Sequence, residues 1–275
     1  MKKLVIGCMT AALSISMMAG MTCMADQTAL ERIKESGKLV MATDATWPPF
    51  EYMKGEEVVG VDAAIAAEVA ADLGVELEII NVAFDSLSMY LQSGEADVAL
   101  AAITMTEERG EVMEFSEAYT DSCQYIIVKK DNEEVDSLND LAGFIIGAHL
   151  GTTGDYMAQD EVNMGVLAGT GASVQQYKDL SVASMGLSAG DVQAIICDKL
   201  LAENLCEEND DLKCFEACYE DGPVEAEQYG VAANKGETDL IAEVNKTIER
   251  LKAEGTIDQF ILDFSADAAT INAEE

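Results

Sequence analysis

Residues 61–80 read VDAAIAAEVAADLGVELEII. Apolar residues recur in steps of three and four up to Gly74, behind an acid, Asp62. This spacing predicts an amphipathic helix with an acidic first turn and a glycine stop. The last six residues alternate: Val75, Leu77 and Ile79 on one face, Glu76 and Glu78 on the other. That is a strand with two unlike faces. Helix and strand joined by one glycine form half of a βαβ unit. On the N-terminal side lie a short helix, TALERIKESG (28–37), and a strand, KLVMATD (38–44). On the C-terminal side lie DSLSMYLQSG (85–94), a helix with an Asp cap, and ADVALAAI (96–103), a buried-type strand. TEERGEVM (106–113) follows as a capped helix. The order βαβα predicts an open, mostly parallel sheet with helices on both faces.

The pattern restarts near residue 124. QYIIVKK (124–130) is strand-like, SLNDLAG (137–143) a short helix and FIIGAHL (144–150) a strand. GTTGDYMAQ (151–159) turns into a helix. ASVQQYKDLSVASMGL (172–187) reads as one helix, DVQAIICD (191–198) as a strand and KLLAENLC (199–206) as a helix. QYGVAAN (228–234) reads as one strand, and TDLIAEVNKTIERLKAEG (238–255) as a long amphipathic helix. Two similar α/β units are expected, with no Pro/Ser-rich linker between them.

The chain has 275 residues, 49% of them apolar, enough for one large or two medium domains. Its 52 acids against 16 Lys and Arg give a formal charge of -36. Nucleic acid is therefore excluded as a partner, since duplex affinity rests on cationic contacts to phosphate. Lys2 and Lys3 precede an acid-free run up to Asp26, which reads as a secretory signal over residues 1–25. Alternatives are an uncleaved anchor, or lipid attachment at Cys8, whose motif comes too early to leave an apolar segment ahead of it, or at Cys23, where the motif fits poorly. Five cysteines remain beyond Ala25, too irregular for a disulfide framework, although Cys206, Cys214 and Cys218 could supply one disulfide. No CxxC accompanies the single histidine, so no metal site and no cofactor are expected.

In open parallel sheets, ligands bind beyond the carboxyl ends of the strands. The residues there are Asp44 to Trp47, Phe84, Ala102 to Thr104, His149 with GTTG, and Asp198. Arg109, in the first turn of its helix, could clamp a carboxylate bidentately. Alternatively it is a surface arginine among many acids. Thr152 or Thr153 could cap a helix or open an anion site. Asp198 reads as an N-cap or as a carboxylate facing an ammonium group. Trp47 and Phe84 read as core aromatics or cleft walls, and His149 as a structural histidine. With no GxSxG and no HExxH, nucleophilic and metal hydrolysis are not expected.

Together these segments resemble the bacterial extracellular solute-binding proteins of family 3, the polar amino-acid type that serves ABC importers. The matching stretches are LERIKESGKLVMATDATWPPFEY, VVGVDAAIAAEVAADLG, the run from Phe84 to Ser122, LAGFIIGAHLGTTGD, AIICDKLLAEN and EQYGVAANKG. The resemblance implies two Rossmann-like lobes joined by a two-strand hinge. Lobe 1 would be 26–120 with 227–275, lobe 2 would be 121–226, and the ligand cleft would lie between them. Arg109 would hold an α-carboxylate, helped by Thr104 and the Thr153 amide beside Thr152. Asp198 would take the α-ammonium with the Thr104 hydroxyl and Ala102 carbonyl. Trp47 and Phe84 would sandwich the side chain, with Asp44 at its polar end. His149 and Cys197 stand where selectivity is tuned.

The function so implied is capture of a polar, basic amino acid (arginine, lysine, ornithine or histidine), or of glutamine. A monomeric protein outside the cytoplasmic membrane would deliver it to a membrane permease, without catalysis. The alternative is a periplasmic dehydratase acting on cyclohexadienyl substrates such as prephenate or arogenate, with a receptor domain of the same fold ranked last.

Overall fold

The computed structural model of the chain describes residues 27–271. The expected signal segment 1–25, with Cys8 and Cys23, lies outside the described residues. The chain begins with α1 (Ala29–Ser36), whose Thr28 and Glu31 form a reciprocal capping box and whose stop is Gly37. Next come β1 (Lys38–Thr43), a small antiparallel sheet of β2 (Thr46–Trp47), β3 (Glu51–Lys54) and β4 (Glu57–Val59), then α2 (Val61–Leu73) and β5 (Glu76–Asn81). α3 (Leu87–Ser93), β6 (Val98–Ala99), α4 (Glu107–Val112) and β7 (Met113–Phe115) complete this unit.

β8 (Thr120–Ser122) leads into β9 (Gln124–Lys129), β10 (Ile145–His149), α5 (Thr153–Asn163), β11 (Ser173–Tyr177), α6 (Leu180–Ala189), β12 (Ala194–Asp198), α7 (Lys199–Glu208) and β13 (Leu212–Glu216). A hairpin of β14 (Cys218–Tyr219) and β15 (Gly222–Pro223) precedes β16 (Glu227–Tyr229), β17 (Ala232–Asn234), α8 (Thr238–Glu254) and α9 (Thr256–Ile271).

Two five-stranded sheets result, in the orders β5-β1-β6-β17-β7 and β11-β10-β12-β9-β13. In each, the three leading strands run parallel and the last two are antiparallel additions. The expected open, mostly parallel sheets are thus present twice. β8 and β16 pair antiparallel, Thr120 opposite Tyr229 and Ser122 opposite Glu227. This ladder stands where the chain passes from one sheet to the other and back.

The sequence reading departs from the structure in definable ways. Residues 172–187 are not one helix: Ser173–Tyr177 form β11, and α6 starts behind the Asp179 cap. β11 is a sheet edge, and its exposed glutamines hide the period of two. Asp85 caps nothing, because it lies within a 3-10 turn, Phe84–Ser86, ahead of α3. QYGVAAN is broken into β16 and β17. α2 is buried on more than one face, because α8 and the unanticipated α9 pack on it. Its exposed edge carries Glu68 and Asp72, each 2.8 Å from Arg250. Among the described residues no disulfide forms: all five cysteines are free. No described helix is long and apolar enough to cross a membrane.

The α2 start depends on Gly60. Its φ of 129° suits glycine, and an added Cβ would come 2.1 Å from the Phe50 carbonyl oxygen. That carbonyl accepts from the Asp62 amide at 2.9 Å. Gly60→Ala should therefore cost at least about 2 kcal/mol of stability. Thermal unfolding should show a melting temperature lower by roughly 4 °C or more.

Candidate functional site

The carboxyl ends of β1, β6, β10 and β12 meet between the two sheets. Trp47, Phe84, Ala101, Ala102, Thr104 and Arg109 from the first unit face Thr152, Thr153 and Asp198 from the second. They enclose a cavity of about 10 Å³. The structure therefore brings most of the sequence-derived candidates together, and the forces holding them can be taken in turn.

Arg109 lies in α4 behind the Thr106 cap. Its guanidinium donates to the Thr104 carbonyl at 2.8 Å and to the Gly151 carbonyl at 3.1 Å, so it already bridges the two units. It also sits 5.3 Å from the Phe84 ring centroid, within cation–π range. Burial lowers its pKa, but a guanidinium stays charged. Thr152 caps α5, accepting from the Asp155 amide at 3.3 Å and donating to the His149 carbonyl at 2.8 Å. Thr153 is the first helical residue, where amides have no intrahelical acceptor. Gly154 behind it packs on the sheet of its own unit: an added Cβ would meet Gln124 Oε1 at 2.8 Å and the Ile196 carbonyl oxygen at 3.0 Å.

Asp198 ends β12 and is 4% exposed. It makes no capping bond to α7; instead Gln124 Nε2 donates to its Oδ1 at 2.5 Å and the Tyr229 hydroxyl donates to its Oδ2. Burial, then the nearby Glu227 carboxylate, push its pKa up to about 7, against the opposing pull of those hydrogen bonds and Arg109.

Glu227, Gln124 and Tyr229 escaped the sequence reading, because Glu227 and Tyr229 belong to the crossing strand β16 and Gln124 opens β9; none lies at the carboxyl end of a parallel strand. Glu227 accepts from the Thr104 hydroxyl at 2.8 Å, the Thr153 hydroxyl at 3.1 Å and Gln124 Nε2 at 3.1 Å. No local motif marks it. The cue available was its place one step before the strand QYGVAAN, at the second crossing.

The remaining candidates surround His149. Its ring stacks on Trp47 at 5.4 Å and tilts toward Phe84 at 6.0 Å, so the imidazole touches both rings expected to hold a ligand side chain. Its Nε2 lies 2.9 Å from the Lys178 carbonyl oxygen and 3.6 Å from Asp44 Oδ2. Burial lowers its pKa, Asp44 opposes, and the ring is neutral at pH 7. Asp44 is buried too, which raises its pKa; it accepts from the Phe84 amide at 2.8 Å and the Thr46 hydroxyl at 3.2 Å. Cys197 points away: its thiol lies in the core, not among the cavity-lining groups, and burial raises its pKa well above normal.

No cluster suited to a metal ion occurs among the described residues. The arrangement is one guanidinium, two threonine hydroxyls and aromatic walls against the carboxylates Asp44, Asp198 and Glu227.

Residues 39–264 match the sequence model of the bacterial extracellular solute-binding proteins, family 3. The L-cystine-binding protein TcyJ of Escherichia coli (strain K12) is 30% identical over 250 residues, which cover 89% of this chain and 90% of TcyJ. The solved amino acid ABC transporter substrate-binding protein AbpA from Streptococcus pneumoniae, bound to L-arginine, superposes with a TM-score of 0.79 at 34% identity. That match covers 87% of this chain and 98% of AbpA. The ancestral amino acid-binding protein AncCDT-1, a precursor of cyclohexadienyl dehydratase, has a TM-score of 0.76 at 26% identity, over 86% of this chain and 99% of its own. These neighbours are two-lobed, as the two sheets here require.

An Asp198 pKa raised from the ordinary carboxylate range to about 7 costs stability once the group ionises. Stability is full below about pH 4 and is lost as pH rises through about 7. Asp198→Asn should therefore raise the melting temperature at pH 8 by several degrees. It should change little at pH 4, as differential scanning calorimetry at the two pH values would show.

Proposed function

Because the chain belongs to family 3 of the bacterial extracellular solute-binding proteins, we propose that it captures a free polar amino acid with a basic side chain and delivers it to an ABC permease. Arginine, lysine, ornithine or histidine are the ligands favoured, with glutamine as the neutral alternative. The carrying observation is the charge balance of the cleft. Among the described residues Arg109 is the one cationic side chain lining it, and it faces Asp198 and Glu227, with Asp44 behind.

An α-amino acid brings one carboxylate for Arg109 and one ammonium for Asp198. A second cation on the side chain offsets a further acid, while an acidic side chain would add repulsion. The Trp47 and Phe84 faces suit a methylene stem with a cationic tip. His149, neutral and wedged against both rings, bounds the side-chain end of the pocket. It is therefore the residue assigned to set side-chain length.

We assign residues 26–120 and 227–275 to lobe 1 and 121–226 to lobe 2, in keeping with the β8–β16 crossing. Arg109 then belongs to lobe 1 and Asp198 to lobe 2, so a zwitterion gains both partners only on closure. That differential affinity shifts an open–closed equilibrium toward the closed form. In this reading the protein acts as a monomer outside the cytoplasmic membrane, after loss of residues 1–25 or anchored by them, and carries out no catalysis. Glu227 is the one observation that favours the dehydratase alternative, since that chemistry needs a carboxylic acid at the substrate ring.

The test uses purified protein stripped of bound ligand, titrated with the twenty amino acids, ornithine and cystine by calorimetry and Trp47 fluorescence. A basic amino acid should bind tightest. No heat and no fluorescence change with any of them would refute the reading, and turnover of prephenate or arogenate would replace it. Arg109→Ala and Asp198→Ala should each weaken binding by about 2 to 5 kcal/mol, at least roughly thirty-fold in Kd. Ammonium binding needs ionised Asp198, so affinity should hold above about pH 8. Below about pH 7 it should fall by up to about tenfold per pH unit, measured by calorimetry across that range.

A further inference from the structure

Ala102 is the single non-glycine residue with a positive φ among those described, at 45°. Such a conformation costs about 1 to 3 kcal/mol and persists only where the surroundings hold it. Here the holder is visible. Asp62 Oδ2 accepts the Ala102 amide at 2.8 Å, from the first turn of α2. Asp62 is wholly buried, and it has no lysine or arginine partner among the described residues. Its neighbour is a second acid, Glu51 of β3, 1% exposed.

Glu51 Oε2, Asp62 Oδ1 and the Tyr119 hydroxyl are buried without a hydrogen-bond partner. Two buried carboxylates facing each other, both ionised, would repel without compensation. One proton between them resolves this: the Asp62 amide, 2.9 Å from the Phe50 carbonyl, sets the two acids side by side, and a protonated Glu51 can then donate to Asp62. The groups acting on the pair are Asp62, Asp44 and Asp198 on Glu51, and Glu51 and Tyr119 on Asp62. Burial drives Asp62 up to about 6 and Glu51 well above its ordinary value, with Asp62 adding to the latter.

We propose that Glu51 and Asp62 form a proton-sharing pair that positions the cleft wall, locking Ala102 in its left-handed conformation so that its carbonyl and the following Thr104 face the ligand ammonium. Its consequence for affinity rests on the amino-acid reading; the pair and its hold on Ala102 do not. The same pair reaches the opposite wall. The Tyr119 ring lies 6.1 Å from Tyr229, Phe50 packs edge-on against Tyr229 at 5.1 Å, and the Tyr229 hydroxyl donates to Asp198. An apolar pair of the same volume would fill this space at lower desolvation cost, but could not bind the Ala102 amide.

The test follows the Ala102 backbone amide by ¹H–¹⁵N NMR from pH 5 to 9 in ligand-free protein. In the wild type its proton shift should titrate with a midpoint near 6, reporting Asp62. Glu51→Gln keeps a donor and should leave that midpoint in place. Glu51→Ala removes the donor and should raise the midpoint by roughly half a unit or more. Should Glu51→Ala fail to fold, pH-dependent stability of Glu51→Gln decides. Stability from Glu51 is full below about pH 4.5 and is lost as pH rises through its raised value, so the glutamine variant should lack that alkaline loss. With L-arginine as probe, Glu51→Ala should weaken binding at least about tenfold and Glu51→Gln less than about threefold. An Ala102 amide that does not titrate, or an alkaline stability profile identical in wild type and Glu51→Gln, overturns the proposal. Absence of L-arginine binding by the wild type counts against the amino-acid reading alone and leaves the amide result to stand.

Discussion

Three residue pairs, Thr120–Tyr229, Asp121–Gln228 and Ser122–Glu227, carry the geometry of the cleft. This ladder is where the chain leaves one sheet and where it returns. Because the register is fixed, Glu227 and Gln124 emerge side by side on the cavity floor, and Tyr229 is placed under Asp198. A strand slip of one residue would reverse every side chain on β16. Glu227 and Tyr229, two residues apart and so on one face of the strand, now reach Thr104 and Asp198; both would turn away, and Gln228 would take their side. The site is thus a product of strand register as much as of the loops at the strand ends.

The fold was legible where a segment buries one face and exposes the other. α1, β1, β5, α8 and the turn into α5 all carry their period or their caps in plain view. It was obscure where tertiary context supplies the partner. SVQQY is a strand because β10 pairs with it, not because its own pattern demands one. α2 is buried on a second face because α9 covers it, and α9 was not anticipated. The cleft residues at strand ends were found because open parallel sheets collect function there. Glu227, Gln124, Tyr229 and Glu51 were missed for a common reason: each is a polar residue on a strand or crossing whose role appears only when two distant segments meet.

The opposite lesson comes from the Trp47 stretch. The aromatic pair was read as a clamp with space between its rings for a ligand. The structure puts His149 against both rings and gives Asp44 two donors from its own unit. Asp44 is therefore first a brace, holding the Phe84 turn and the loop before Trp47, and only second a source of negative charge. That end of the site presents an imidazole whose pKa burial lowers, so it offers hydrogen bonding and ring contact before charge.

Taken together, the buried acids explain why closure would depend on a ligand. Asp198 sits at a pKa near 7 because burial and Glu227 oppose its charge, and its hydrogen bonds from Gln124 and Tyr229 recover only part of that cost. The cleft is thus assembled around a negative charge that it solvates incompletely. Removing that charge would stabilise the fold while discarding the group proposed to meet an ammonium, the usual conflict between stability and function at a binding site. A cationic group arriving between Asp198 and the Thr104 hydroxyl would supply the missing counter-charge, and it could do so only with both walls in place. The affinity gained on closure is then the electrostatic cost already present in the ligand-free cleft, relieved. A neutral or acidic compound of the same size would fill the volume and leave that cost standing.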